Sequence, residues 1–166
     1  MRRWLEVGPG TGVFTRELID AMGDGDHFDV VELNTAFCQT LRADVLPQND
    51  QVVLHEASIE DASLGGNYDA IVCGLPYNAF PTHVSRSILR RLVRLLKPGG
   101  TLSFFEYAAI RHMRSAVSPK PVKRAMQWHA KFIERLEQDM CGRRDLVMMN
   151  MPPAWAVHLT KEASQS

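Results

Sequence analysis

Long hydrophobic runs are missing from this chain, and no apolar stretch approaches the ~18–20 residues that cross a bilayer. The opening residues, MRRWLEVGPG, lack the apolar core of a secretory signal, so no export is expected. Cysteine is scarce. Cys38, Cys73 and Cys141 have spacings that suit neither a disulfide framework nor a metal cluster, so they read as reduced thiols of a cytoplasmic protein and no metal is expected. Repeats and low-complexity segments are absent apart from a short polar tail at Glu162–Ser166. Acid is almost absent from the middle of the chain. The net charge is zero, yet residues 1–69 hold thirteen acids and four bases, whereas residues 70–133 hold eleven bases and the single acid Glu106. Such segregation points to an anionic partner, a membrane surface or a nucleic acid, against the plainer reading of a solvated basic helix face.

What is present fits a globular domain spanning 1–166, with 45% apolar and 23% charged residues among 166. Periodicity alternates between strand and helix. Strands are predicted at Arg3–Val7, Phe28–Leu33, Gln51–His55, Tyr68–Cys73 and Thr101–Tyr107, and helices at Val13–Met22, Thr35–Val45, His83–Leu96 and Val122–Met140. Asp145–Met151 and Trp155–Thr160 read as a closing antiparallel pair. Lys97-Pro98-Gly99-Gly100 stops the third helix, and Arg111–Arg124 is a basic stretch broken by Pro119 and Pro121. Alternation of this kind predicts an α/β fold with helices on both faces of the sheet.

The loop Glu6-Val7-Gly8-Pro9-Gly10-Thr11-Gly12 lies between the first strand and first helix, where glycines allow close backbone approach to a ligand. It lacks the third glycine of G-x-G-x-x-G and the Lys-Ser/Thr of a phosphate-cradling loop. Glu6 would repel a pyrophosphate, so a cationic or zwitterionic ligand is expected. Glu32 ends the second strand twenty residues past Gly12, where a carboxylate accepts hydrogen bonds from ribose hydroxyls in doubly wound folds.

EVGPGTG, VVELN, YDAIVCGLPY and LLKPGGTL, in this order, resemble the class I S-adenosylmethionine-dependent methyltransferases. The resemblance implies a Rossmann-like, doubly wound seven-stranded sheet, mostly parallel with an antiparallel C-terminal strand. It places Glu6, Gly8, Gly10, Thr11 and Gly12 around the methionine part of S-adenosylmethionine, Glu32 and Leu33 at the ribose, and Ser58 and Ile59 beside the adenine, with Gly74 as a further cofactor contact. Ala57 or Ser58 stands where an Asp often holds the adenine amine.

The fourth strand ends in Cys73-Gly74-Leu75-Pro76-Tyr77-Asn78-Ala79-Phe80-Pro81. Here the carbonyls of Gly74 and Leu75 can accept from an amine, beside Pro76, and the rings of Tyr77 and Phe80 can face a charge growing on nitrogen. Tyr77 is the first choice of base for a proton leaving that nitrogen, with Tyr107 and His112 behind it. Leu75-Pro76-Tyr77-Asn78 resembles the ribosomal RNA adenine dimethyltransferases, but Gly74 replaces the Asn whose amide engages the adenine. Gly74-Leu75-Pro76, Phe80-Pro81 and Asn150-Met151-Pro152-Pro153-Ala154 resemble the bacterial phospholipid N-methyltransferases that act on phosphatidylethanolamine. That resemblance implies a lipid amine as acceptor and peripheral association with the inner membrane. Arg111, Arg114, Lys120, Lys123 and Arg124 would hold lipid phosphate, and Arg86–Lys97 is a second basic segment for anionic headgroups. The N-terminal helices of those enzymes are missing from these 166 residues. An RNA methyltransferase, a small-amine methyltransferase and a cofactor-binding remnant without activity are the competing expectations.

Overall fold

The computed structural model describes residues 1–47, 50–77, 80–107, 120–147 and 154–163. Among them the elements run β1 (Arg3–Val7), α1 (Val13–Asp20), β2 (His27–Glu32), α2 (Thr35–Asp44), β3 (Val52–Glu56), β4 (Tyr68–Cys73), α3 (Thr82–Leu95), β5 (Leu96–Tyr107), α4 (Lys120–Asp139), β6 (Cys141–Val147) and β7 (Ala154–Thr160). The strands form one sheet in the order β3-β2-β1-β4-β5-β7-β6. β1 through β5 pair in parallel, and β7 runs antiparallel to both β5 and β6. This is the mostly parallel seven-stranded α/β sheet expected from the motifs.

Side-chain alternation divides the strands between two apolar layers. Leu5, Val7, Val31, Ile71, Cys73, Leu102, Phe104, Val157 and Leu159 face α3 and α4, whose Ile88, Leu89, Leu92 and Ile133 complete the larger core. Phe28 and Val30 face the other way, against Leu41 of α2 and Leu18 and Ile19 of α1. Helix α2 is started by Asn34, whose side-chain oxygen accepts from the N–H groups of Ala36 (2.9 Å) and Phe37 (3.4 Å).

Most boundaries shift by a residue or two from the sequence reading, and three differences have a clear local reason. β5 begins at Leu96 rather than Thr101. Tyr68 pairs with Leu96 and Ala70 with Thr101, so Lys97–Gly100 bulge out of the ladder, tied by the Gly99 N–H to the Lys161 carbonyl at 2.8 Å and by the Lys97–Asp69 ion pair. Helix α4 begins at Lys120, since Pro121 in its first turn costs no hydrogen bond. β6 starts at Cys141, four residues early, because it is an edge strand whose exposed Arg143 and Asp145 disguise its alternation. Asn150–Pro153 lie outside the described residues.

A buried polar cluster fastens β1, β2, β3 and β4 together. The Asp29 carboxylate accepts from the Tyr68 hydroxyl at 2.8 Å and from Arg3 Nη2 at 3.3 Å, and His55 Nε2 lies 2.7 Å and His27 Nε2 3.2 Å away. Burial alone would raise its pKa, but the bonds from His55 and Tyr68 and the His27 and His55 rings hold it below the ordinary carboxylate value. Its contribution to stability is therefore present above the usual Asp value near 4 and disappears as pH falls through the lower folded value. Removing the carboxylate strands the buried Tyr68 hydroxyl and leaves the half-buried Arg3, His27 and His55 without their shared anion. Asp29→Ala is expected to lower the unfolding free energy by about 2–4 kcal/mol at pH 7, with the deficit shrinking below pH 4, as read by urea denaturation across pH.

Candidate active site

The carboxyl ends of β1, β2 and β4 meet at one edge because these strands are parallel neighbours. The chain leaves β1 outward to β2 and β3, then returns to β4 on the other side of β1, so a crevice opens above β1. The glycine loop lies there. Its amide groups are turned by positive φ at Gly8 (71°), Gly10 (58°) and Gly12 (80°). Gly8 is anchored by its N–H to the Val31 carbonyl at 2.9 Å, and Thr11 is exposed.

Two carboxylates flank this loop. Glu32, at the end of β2, accepts from the Gly10 N–H (3.2 Å) and the Asn34 N–H (2.8 Å), and the exposed Leu33 follows it. Glu6 is only 1% exposed, and its Oε2 makes no hydrogen bond within the chain. Burial pushes its pKa up to about 7; the Thr15 hydroxyl opposes the shift and the Glu32 charge adds to it. A buried acid with one oxygen left without a hydrogen bond, next to a backbone loop, suits a ligand that brings its own positive charge. A β-carbon on Gly10 would meet nothing within 4 Å, so the loop crest is open to such a ligand.

The β4 tip packs directly on the loop. The Gly74 N–H donates to the Val7 carbonyl at 2.8 Å, and a β-carbon on Gly74 would lie 2.6 Å from the Gly8 carbonyl oxygen. A β-carbon on Gly8 would in turn meet the Leu75 side chain at 2.6 Å. Neither position admits a side chain while the two loops touch. Beyond it, the Leu75 carbonyl gives one lone pair to the Tyr77 N–H at 2.9 Å, and Pro76 follows Leu75 in the turn.

The structure corrects the role expected of Tyr77. Its hydroxyl is buried and donates to Cys73 Sγ at 2.8 Å, while its ring meets Phe104 edge-on at 5.4 Å. Burial drives its pKa well above the ordinary phenol value, which disfavours the tyrosinate that a base would require. Phe80 is half-buried and packs against the larger core. Ile59 is also a core residue, and Ser58 directs its hydroxyl to Asp61 at 2.7 Å, which leaves backbone groups as their contribution beside an adenine. Tyr107 ends β5 opposite Ala154, whereas Arg111, His112 and Arg114 lie outside the described residues.

Aromatic surface at this edge comes from elsewhere. Phe14, 44% exposed in the first turn of α1, stacks on Phe105 of β5, with ring centroids 5.2 Å apart and planes 17° off parallel. Phe105 follows Phe104, which pairs with Cys73, so the stack stands beside Gly74 and just past the glycine loop. The sequence shows Phe14 only as an apolar helix position, and only the register between β4 and β5 places the two rings together. Of the basic residues, Arg86 and Arg90 lie over the Phe132 ring at 5.0 and 5.6 Å and Arg91 donates to the Ala62 carbonyl at 2.8 Å, so part of the α3 charge serves packing. No helix among the described residues is long and apolar enough to cross a membrane.

Comparison with known proteins agrees with this geometry. Residues 5–100 match the family model described as a methyltransferase domain. The chain belongs to this family, the class of S-adenosylmethionine-dependent methyltransferases that its motifs resemble. It is 29% identical over 124 residues to the polyketide synthase-nonribosomal peptide synthetase phmA of Phaeosphaeria nodorum. It is 30% identical over 112 residues to the compactin diketide synthase mlcB of Penicillium citrinum. Those matches cover 71% and 63% of this chain but only 3% and 4% of the relatives' length. Among solved structures, the N-methyltransferase NodS of Bradyrhizobium japonicum WM9, in complex with S-adenosyl-l-homocysteine, superposes with a TM-score of 0.73 at 16% identity, covering 96% of this chain and 78% of that one. The O-methyltransferase TomG of Streptomyces achromogenes, in complex with SAM, gives 0.68 at 15% identity, covering 96% and 73%.

Glu6 supplies a pH signature. Its folded pKa is raised, so stability is expected to fall as pH rises from about 4.5 to about 7 and to level off above. Glu6→Gln removes this slope and gains roughly 3 kcal/mol over the wild type at pH 8, measured by denaturant titration. A cationic ligand beside Glu6 would also expel its proton. Binding of S-adenosylhomocysteine at pH 6 is therefore expected to release close to one proton in the wild type and fewer in Glu6→Gln, read by calorimetry in buffers of different ionisation enthalpy.

Proposed function

We propose that this chain methylates an amine nitrogen, and that the acceptor is the ethanolamine headgroup of a phospholipid. The observation that carries the reading is the contact between Gly74 and the Gly8 carbonyl. It leaves no room for the amide side chain with which the adenine methyltransferases grip their base, so an acceptor amine at this tip meets backbone carbonyls. The Gly-Leu-Pro tip, Phe80-Pro81 and the Asn150–Ala154 segment support a lipid amine, as does the basic middle of the sequence.

Glu6, the Gly8–Gly12 amides, Glu32 and Leu33 would hold S-adenosylmethionine, with backbone groups near Ser58 and Ile59 at its adenine. When bound, it supplies an electrophilic methyl on a positively charged sulfur. The chain's part is alignment, which is the larger share of catalysis for an in-line displacement. The Gly74 carbonyl orients the acceptor N–H, leaving the nitrogen lone pair directed toward the crevice. Ionised Glu6 balances a ligand's ammonium. The acceptor must attack as its free amine, so its ammonium proton is lost to water before attack.

The test is incubation with methyl-labelled cofactor and, in parallel, vesicles of phosphatidylethanolamine with anionic lipid, free ethanolamine and other small amines, and folded RNA. Label is expected in the lipid. Label confined to RNA or to soluble amines would overturn the acceptor, and cofactor binding without any transfer would favour the inactive remnant. Gly74→Asn is expected to reduce lipid methylation at least a hundredfold, because the added side chain must displace the glycine loop.

A further inference from the structure

The geometry points to the Phe14–Phe105 stack as the binding wall for the acceptor's ammonium group, an assignment that rests on the amine acceptor proposed above. The exposed ring stands between the two loops that must bracket the reacting nitrogen. Phe14 is the second residue of α1, directly after the glycine loop, and Phe105 lies beside Gly74 across the β4–β5 ladder. Near-parallel stacking covers one face of the Phe14 ring with Phe105 and leaves its other face unstacked. An aromatic side chain exposed to this degree at a functional edge, and flanked by the exposed Val13, contributes nothing to either core. Its π-face is the chemical feature left to explain, and a π-face attracts a desolvated cation.

The class of ligand follows from the surroundings. The Glu32 carboxylate lies at this edge, which suits a positive group, and the nearby tip offers carbonyls for an N–H. As methyl groups accumulate, an acceptor nitrogen loses its N–H donors and keeps its charge. Carbonyls then hold it progressively less well, and an aromatic wall holds it undiminished. The stack therefore gives the site a means of retaining a partly methylated amine between transfers, the part first sought at Tyr77 and Phe80.

Binding, rather than turnover, tests this most cleanly. The chain loaded with S-adenosylhomocysteine is titrated with phosphocholine and with its neutral carbon isostere, 3,3-dimethylbutyl phosphate, by calorimetry or ligand-observed NMR. The wild type is expected to prefer the cation, and Phe14→Leu to lose that preference by about three- to thirty-fold. Phe14→Trp should keep or strengthen it. Equal affinity of the wild type for the two probes, no binding of phosphocholine, or an unchanged preference in Phe14→Leu would overturn the inference. Leucine keeps the apolar bulk, so a purely packing role would weaken both probes alike and would also overturn it. Lipid methylation by the wild type stands as a separate readout: if it persists while the preference is absent, the wall is wrong and the acceptor assignment survives.

Discussion

The close approach of two strand ends governs this molecule's chemistry. β1 and β4 are parallel neighbours, and the chain turns sharply as it leaves each of them, at Gly8 and at Gly74. Their backbones touch with no side chain between, so the loop that would cradle the methyl donor and the tip that would receive the acceptor share one wall. An in-line displacement needs its two partners within a few ångströms and correctly angled, and much of that requirement is met here by the ladder itself. The Asp29 cluster, lower in the same strands, holds β1, β2 and β4 in register and so keeps the two loops in contact.

Electrostatics refine this frame. Glu6 is kept near neutral when its surroundings are apolar and becomes useful as an anion only when a cation arrives, so the site stores part of its binding free energy as a desolvated acid. Glu32 differs. Its two oxygens are already satisfied by the Gly10 and Asn34 amides, and a ribose would have to share or replace those bonds. One carboxylate thus waits for charge and the other for hydroxyls, a division set by burial and by strand ends.

Much of this was legible in the residues. Strand and helix periodicity located every element among the described residues, and glycine spacing with Glu32 pointed to the edge where the glycine loop and that carboxylate do meet. Three things were not legible, for physical reasons. Tyr77 was read as facing the acceptor because its chain position is at the tip, but a residue two places past a tight turn has its direction set by packing, and Phe104 and Cys73 drew it inward. The Phe14–Phe105 stack joins residues ninety-one positions apart and depends on the bulge at Lys97–Gly100, which no local pattern announces. The start of β6 was hidden by edge-strand charges whose partners, Glu106 and Glu137 for Arg144, lie on other elements.

The family model places the chain among methyltransferase domains and names no acceptor, so the acceptor must be argued from the tip and its surroundings. The most direct measurement is an experimental structure of the chain with S-adenosylhomocysteine bound. The account predicts ribose hydroxyls on Glu32, the amino group toward Glu6, and the sulfur within about two hydrogen-bond lengths of the Gly74 carbonyl. A nucleoside lying away from β1, or a sulfur separated from Gly74 by a further side chain, would contradict it.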